Sequence, residues 1–444
     1  MSSKTLCQVL GSRLLEFWIA DSRLIRSQEK LWVVTAVPSP LILNLKIRSY
    51  AANTYLVAAG GRQNLTVVIG ALVQKILLES TSSGVSNAKG VQVTVQGSNN
   101  TVKAQKEVIL AAGAFQTPKL LELSGIGGAN LLKACGIQVI IDIPNVGENL
   151  QDHLMTGISY EVNDGIFTGD ALIRQEPEVT QGAMQMYTTA KAGPLCAGGI
   201  GSYAFLPFMD SLGDVEQAAV LKHLLSELES DHLAQGDLAH LSFVRSILES
   251  RSKTAGSLFM FPAQVNLHSD PDVKDFLQNL VPGNFVSLGA ALLHPLSRGS
   301  VHIDPADTTQ ASFINPKYFS IPLDVEVLAY YVLFLEKLAA SQPLASLLKP
   351  DGKRNHPTAH HIKSLAAAKE YVKATAISNN HPACTCAMKS KEKGGVVNER
   401  LIVYGTNNLR IVDASVMPTI PGGNIQSSVY AVAERAADLI KDDA

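Results

Sequence analysis

The chain has little cysteine and no dominant charge. Cys7, Cys135, Cys196, Cys384 and Cys386 are the only five in 444 residues, an odd and sparse set that excludes a disulfide framework and favours reduced thiols. Lys plus Arg number 37 against 39 Asp plus Glu, and no run of five basic residues occurs. That balance excludes the electrostatic footprint of a nucleic-acid binder. No stretch of 18 apolar residues is present, so no membrane-spanning helix is expected. The opening "MSSKTLCQVLGSRLLEFWIADSRLIRSQ" carries charges through its first 26 residues and has no clean apolar core. It does not read as a signal peptide, and a cytoplasmic location is the default expectation. Also missing is the dinucleotide fingerprint G-x-G-x-x-G. The nearest string, "GIGGAN" at 125–130, puts Asn130 at the third glycine and follows a helical run, not a strand. It is no phosphate cradle.

What is present is a large apolar interior. Hydrophobic residues make up 46% of the chain and charged residues 17%, and this length exceeds what one core usually serves. Two domains are expected. "LWVVTAV" near the start, "LTVVIG", "GVQVTVQG" and "KEVILAAGA" read as strands, with "VILAAG" apolar enough to be buried on both faces. In "QTPKLLELSGIGG", Thr117 reads as a helix N-cap, Pro118 as the first helical residue and Gly125 as the stop. "NLLKACG" then "IQVIIDIP" continue an α/β layer. From 154 to 370 long strand candidates such as "LFMFPAQVNLH", with few crossovers, predict a mainly antiparallel sheet, interrupted by a helical stretch near "VEQAAVLKHLLSELES". After 371 the α/β style returns, with "NLRIVDA" as a strand and "IQSSVYAVAERAADLI" as a helix. The first domain is thus expected to be discontinuous, 1–153 with 371–444, around a substrate domain at 154–370.

Two short segments carry the chemistry. "HPACTCAM" at 381–388 groups His381, Cys384 and Cys386. Zinc is disfavoured because H-x-x-C-x-C lacks a matching second pair, and a Cys384–Cys386 disulfide would close a strained ring. A histidine beside two buried thiols is the plainest reading. "PGGNIQ" at 421–426 opens the last helix. Asn424 fits an N-cap, and two glycines before a helix N-terminus also make an open, electropositive place for an anionic group. Trp18, Trp32 and the remaining ten histidines read as structural or solvated.

Several stretches together resemble the glucose–methanol–choline (GMC) oxidoreductases. "GAFQTPKLLELSGIG" at 113–127 is similar to the family's second signature. "NVGENLQDHL", "HPLSRGSVHI", "NPKYF", "HPACTCAM" and "NLRIVDASVMPTIPGGNIQSSVYAVAERAADLI" resemble further landmarks in the family's order, over residues 48–444. The resemblance implies an α/β FAD-binding domain joined to an α+β substrate domain, and an FAD-dependent alcohol oxidase or dehydrogenase acting on a small molecule. A tailoring step in secondary metabolism is a role such an enzyme would fill. It further implies His381 as the base facing the flavin and Asn424 as its partner. Val73 would contact the adenine, Asp413 and Ala414 the phosphates and ribityl chain, and Ile425 and Gln426 the flavin ring. Members of the family begin with a G-x-G-x-x-G unit, so a member lacking its N-terminal dinucleotide unit is implied. The alternatives are a flavin-independent lyase or cyclase on the same fold, or an inactive homologue. Cys384 stands where the family usually has glycine, which predicts strain if that backbone position needs a positive φ.

Overall fold

The computed structural model describes residues 46–443 and the backbone of 32–35 and 41–42, leaving out 83, 197–199, 201, 209–211, 213–218, 224–225, 227–237, 267–279 and 305–309. Six strands form one antiparallel sheet in the order Trp32–Thr35, Ser202–Leu206, Gly256–Phe261, Phe285–Leu292, Leu154–Glu161, Ile377–Ser378. Every residue of Phe285–Leu292 is buried, as a central strand covered on both faces must be. Helices Pro322–Ala339 and Leu365–Thr375 pack with this sheet in the largest core, around Leu288, Ala290, Leu328, Tyr331 and Val372. Each begins as local chemistry dictates: Pro322 occupies the first helical position, and the Ser364 hydroxyl accepts the Ala367 N–H at 3.2 Å.

A second core is assembled from both ends of the described chain. Strands Ala71–Ser80, Ser86–Val95 and Ser98–Lys103 make an antiparallel sheet, and Val108–Leu110 pairs in parallel with Leu409–Ile411. Helix Gly113–Leu123 packs beside them, and Leu121, Ile126, Val146, Cys386, Val397, Ile411 and Leu439 fill the space between. The mixed α/β architecture with antiparallel sheets is therefore as expected. The two cores take their residues from 154–372 and from 76–146 plus 386–439. On that grouping we propose the discontinuous division with two changes: Trp32–Thr35 pairs with Ser202–Leu206 and so goes with the six-stranded sheet and not with the first domain, and the second crossing lies near 378, because Ile377–Ser378 is still part of that sheet.

Four local expectations need correction or qualification. "LTVVIG" is not a strand: Val67, Val68 and Ile69 are exposed, and pairing starts only at Ala71. "VILAAG" is buried on one face only, since Ile109 between Val108 and Leu110 is exposed. The stretch near "VEQAAVLKHLLSELES" lies largely outside the described residues. The fourth concerns Thr117 and Pro118, which sit inside the Gly113–Leu123 helix and not at its start.

The cause of that last difference is a long-range hydrogen bond. Pro118 has no N–H to give the carbonyl four residues back, that of Ala114. The Thr385 hydroxyl donates to Ala114 O at 2.7 Å instead. Thr385 is fully buried, so losing its hydroxyl leaves a buried carbonyl without its partner. Thr385→Val should lower unfolding stability by about 1–3 kcal/mol, read as a shift in the urea midpoint at unchanged slope. A midpoint identical to the parent's would refute the compensation.

Candidate active site

The chain crosses between its two cores at 149–154 and again at 378–384, and the two crossings are laced together. Gln151 and Ala383 exchange backbone hydrogen bonds at 3.1 and 3.0 Å, and the Asn379 N–H donates to His153 O at 2.8 Å. The Asn149 amide donates to the carbonyls of Cys384 and Pro418 at 3.2 and 3.3 Å. Gln151 Oε1 accepts the Ile420 N–H at 3.0 Å. The 149–153 segment therefore fixes both the 381–388 stretch and the start of the 421–426 turn.

His381 is held at this crossing by two consecutive residues. Its backbone N–H donates to Asp152 Oδ1 at 3.0 Å, and its ring Nδ1 lies 3.0 Å from His153 Nδ1. The two imidazoles stand at 87° with centroids 5.1 Å apart. Asp152 Oδ2 accepts the Tyr318 hydroxyl at 2.7 Å and the Ser378 hydroxyl as well. Burial pushes the Asp152 carboxyl up, while its donors from Ser378, Tyr318 and His381 pull it back. Burial also lowers the pKa of His381, with Asp152 opposing. A half-buried imidazole kept mostly neutral is suited to accept a proton.

The glycine turn lies against the edge of the sheet domain. A Cβ on Gly422 would meet His294 Nε2 at 3.1 Å, and one on Gly423, whose φ is +107°, would meet the Phe205 ring at 3.5 Å. Only glycine takes that backbone conformation without strain. The Asn424 side chain is exposed and interacts with the Tyr203 hydroxyl, whose pKa burial raises. Asn424 does not cap the helix: Gln426–Asp442 begins two residues later, and its N-cap, Ile425, makes no side-chain capping bond. The helix N-terminus stays open, which is the electropositive feature the sequence pointed to. Burial lowers His294 to a pKa of about 4. His294 also borders an open cleft of about 340 Å³ with Phe243, Ile247, Ser252, Lys253 and Thr254.

The other expected residues are placed unevenly. Asp413 is fully engaged: its carboxylate accepts Gly113 N–H at 3.0 Å, the Thr117 hydroxyl at 2.6 Å and Ser415 N–H at 2.8 Å. It welds the end of the Leu409–Ile411 strand to the start of the Gly113–Leu123 helix. Ala414 O accepts Cys384 N–H at 3.1 Å. The Ile425 side chain is buried with Ala383, Cys384, Met417 and Ile420, whereas Gln426 is exposed. Val73 stands on the Ala71–Ser80 strand opposite Val93, at a shift of register. That strand reaches the rest through Ile76, whose N–H donates to Ser124 Oγ at the helix end.

Asp152, His153, Tyr318, Ser378, Tyr203 and His294 received no role from the sequence, and His153 is the plainest miss among the ten histidines read as structural or solvated. The signal lay in the quoted strings "NLQDHL", "HPLSRG" and "NPKYF", where polar residues interrupt otherwise apolar surroundings. Cys384 and Cys386 are both buried free thiols, pointing into two different clusters. Among the described residues no group of three His, Cys, Asp or Glu is placed to hold a metal ion, and no helix is long and apolar enough to cross a membrane.

Cys384 has φ +78°, so the strain expected of it is present, at about 1–2 kcal/mol for an L-residue. Alanine normally outscores glycine. Here Cys384→Gly should be more stable than Cys384→Ala by about 1 kcal/mol, measured by denaturant unfolding. The reverse order would show that the backbone costs nothing at this position.

Comparison with known proteins follows the same geography. Two models described as GMC oxidoreductase match residues 39–155 and 295–433, together more than half of the chain. A dehydrogenase, mpl7, of Monascus purpureus is 33% identical over 89% of this chain and 64% of its own length. The chain thus spans under two thirds of that relative. A solved FAD-dependent oxidoreductase from Chaetomium thermophilum superposes with a TM-score of 0.77 at 25% identity, covering 92% of this chain and 67% of that one. A fungal aryl-alcohol oxidase gives 0.73 at 26%, covering 90% and 65%. Sequence, fold and the order of the motifs agree, and the chain belongs to the GMC oxidoreductase family.

Proposed function

We propose that this chain forms the substrate side and the ring-facing side of an FAD-dependent alcohol-oxidising site, with His381 as its base. The observation that carries the reading is His381 itself, gripped at its backbone by Asp152 and at its ring by His153, where the two cores meet. The residues present fit the ring end of a flavin: a bare glycine turn, an uncapped helix N-terminus, and exposed Asn424 and Gln426 beside it. Asn424, Ile425 and Gln426 would hold that end, Asp413 and Ala414 would offer backbone along the chain, and Val73 would meet the adenine. FAD supplies a hydride acceptor when bound.

The rest falls to the protein. His381 takes the hydroxyl proton of the alcohol, and burial, by lowering its pKa, keeps it free to do so near neutral pH. Asn424 hydrogen-bonds the substrate oxygen. The open helix end favours negative charge next to it. The similarity to an aryl-alcohol oxidase supports an alcohol with an aromatic portion, and the cleft bordered by Phe243, Ile247 and His294 is of a size to take one.

The test is visible absorbance of the purified chain after incubation with FAD and removal of the free cofactor, followed by anaerobic addition of benzylic alcohols. Retained flavin that bleaches on addition is the expected result. A folded protein that retains no flavin would sink the proposal for this chain, and flavin-free turnover lost on His381→Ala would replace it with a lyase or cyclase.

A further inference from the structure

A buried carboxylate can hold a turn in place only if something outside the turn holds the carboxylate. Asp152 is buried and receives three donors. Two of them, the Ser378 hydroxyl on Oδ2 and the His381 N–H on Oδ1, belong to the one stretch 378–381. Within it Ser378 Oγ accepts the Asn380 N–H at 2.9 Å, and Asn380 has φ +57°. That stretch could swing with the carboxylate as one piece. The third donor, the Tyr318 hydroxyl at 2.7 Å from Oδ2, comes from a different element.

Tyr318 is delivered there by a segment with little freedom. It follows the strand Phe313–Asn315, which pairs with Ser300–His302. Gly299, next to that pair, exchanges backbone hydrogen bonds with Leu150 at 2.9 Å each way. The Asn315 carbonyl and Pro316 lie so close to Gly299 that a Cβ there would not fit. The hairpin is thus fastened to the chain just before Asp152, and Tyr318 comes just after Pro316. On either side of Tyr318 the backbone is left-handed, with φ +47° at Lys317 and +59° at Phe319. A bulky residue keeps that conformation only where its surroundings over-determine it. Phe319 packs on the largest core, and the Ile321 N–H donates to Ser297 Oγ at 3.1 Å. Phe319 anchors the segment while its neighbour reaches Asp152.

We infer that Tyr318 is a positioning residue: its hydroxyl fixes the Asp152 carboxylate from outside the 378–381 turn, and Asp152 in turn fixes where His381 stands. The inference rests on the reading of His381 as base and adds the residue that holds its support. Without the hydroxyl, Asp152 is tied only to the stretch it has to hold, and the imidazole can drift. A drift of about 1 Å from the reacting geometry is enough to cost on the order of 10²-fold in rate.

The measurement is a double-mutant cycle on Tyr318→Phe and Asp152→Ala. It is read first by NMR on the flavin-free chain with ¹³C-labelled histidine rings, the His381 signals being assigned by their loss in His381→Ala. Tyr318→Phe should displace those signals, because the His381 ring stands at 87° and 5.1 Å from the His153 ring and its shifts report that placement. Asp152→Ala should displace them at least as far, and Tyr318→Phe added to it should displace them no further. Additive displacements would overturn the inference, since Tyr318 would then act otherwise than through Asp152. Should Asp152→Ala not fold, Asp152→Asn takes its place, and the same additivity would overturn the inference there. Unmoved His381 signals in Tyr318→Phe alone overturn it without any second variant: the backbone bonds between 151–153 and 379–383 would then suffice. In the flavin-loaded protein, Tyr318→Phe should lower the rate at saturating alcohol by about 10–10²-fold and leave the half-saturating concentration nearly unchanged. A native rate would overturn the inference as well. Coupled displacements in a chain that never oxidises alcohol would refute the enzymatic reading alone, and additive ones in active enzyme would refute this one alone.

Discussion

His381→Ala in the flavin-loaded protein should slow alcohol-dependent flavin bleaching by about 10²–10⁴-fold, the usual worth of a positioned general base. The loss should fall on the rate at saturating alcohol and leave the half-saturating concentration nearly unchanged, because the imidazole engages the proton in flight and not the bound alcohol. The pH profile supplies a second, independent sign. With the His381 pKa held below its ordinary value by burial, the native rate should rise with pH on the acid side of 6.5 and level off above it. That limb should vanish in His381→Ala. Stability should change little, since the ring is only half-buried. A variant that bleaches at the native rate would show that the proton leaves by another route.

Much of this site was legible because its parts are short and local, and what escaped was non-local. The antiparallel sheet followed from strand-like runs with few crossovers, whereas "LWVVTAV" sat in a stretch without clear period, and the 381–388 and 421–426 strings took their functional reading from the resemblance. His153 escaped because its partner lies 228 residues away; nothing in "NLQDHL" alone separates a pairing histidine from a packed one. Thr117 and Pro118 escaped for a related reason. A Thr-Pro pair looks the same at the first turn of a helix and in its middle, and it is Thr385, 271 residues beyond the Ala114 carbonyl it caps, that makes the middle tolerable. Asn424 carries the opposite lesson. Its local propensity to cap was overridden because its side chain is drawn to Tyr203 on the neighbouring sheet.

Stability should fall as pH rises from about 6.5 to 9, and His302 is the cause. Its Nδ1 lies 2.7 Å from Glu122 Oε1 and its Nε2 3.0 Å from Glu148 Oε1, and the Glu122 carboxylate also accepts the Ile303 N–H at 2.9 Å. Three segments are clipped together: the Gly113–Leu123 helix, the 145–150 stretch and the strand Ser300–His302. The two carboxylates raise His302 from 6.5 to about 9. A group that holds its proton more tightly when folded contributes in full below its unfolded pKa, and that contribution is lost as pH climbs to the folded one. At about 1.4 kcal/mol per pKa unit the window from 6.5 to 9 is worth at most about 3 kcal/mol, and solvent screening at the half-exposed Glu148 brings it down to about 1–2 kcal/mol. Burial moves Glu122 upward too, which has the same sign: its ionisation also costs stability as pH rises. Urea midpoints at pH 6.5 and 9 should therefore differ clearly for the native chain. They should differ less for His302→Gln, which should also be weaker at pH 6.5 by about 3–5 kcal/mol, because it leaves Glu122 buried without its cation. Equal midpoints for the native chain across that window would mean that the shared proton sits on Glu122, with His302 uncharged.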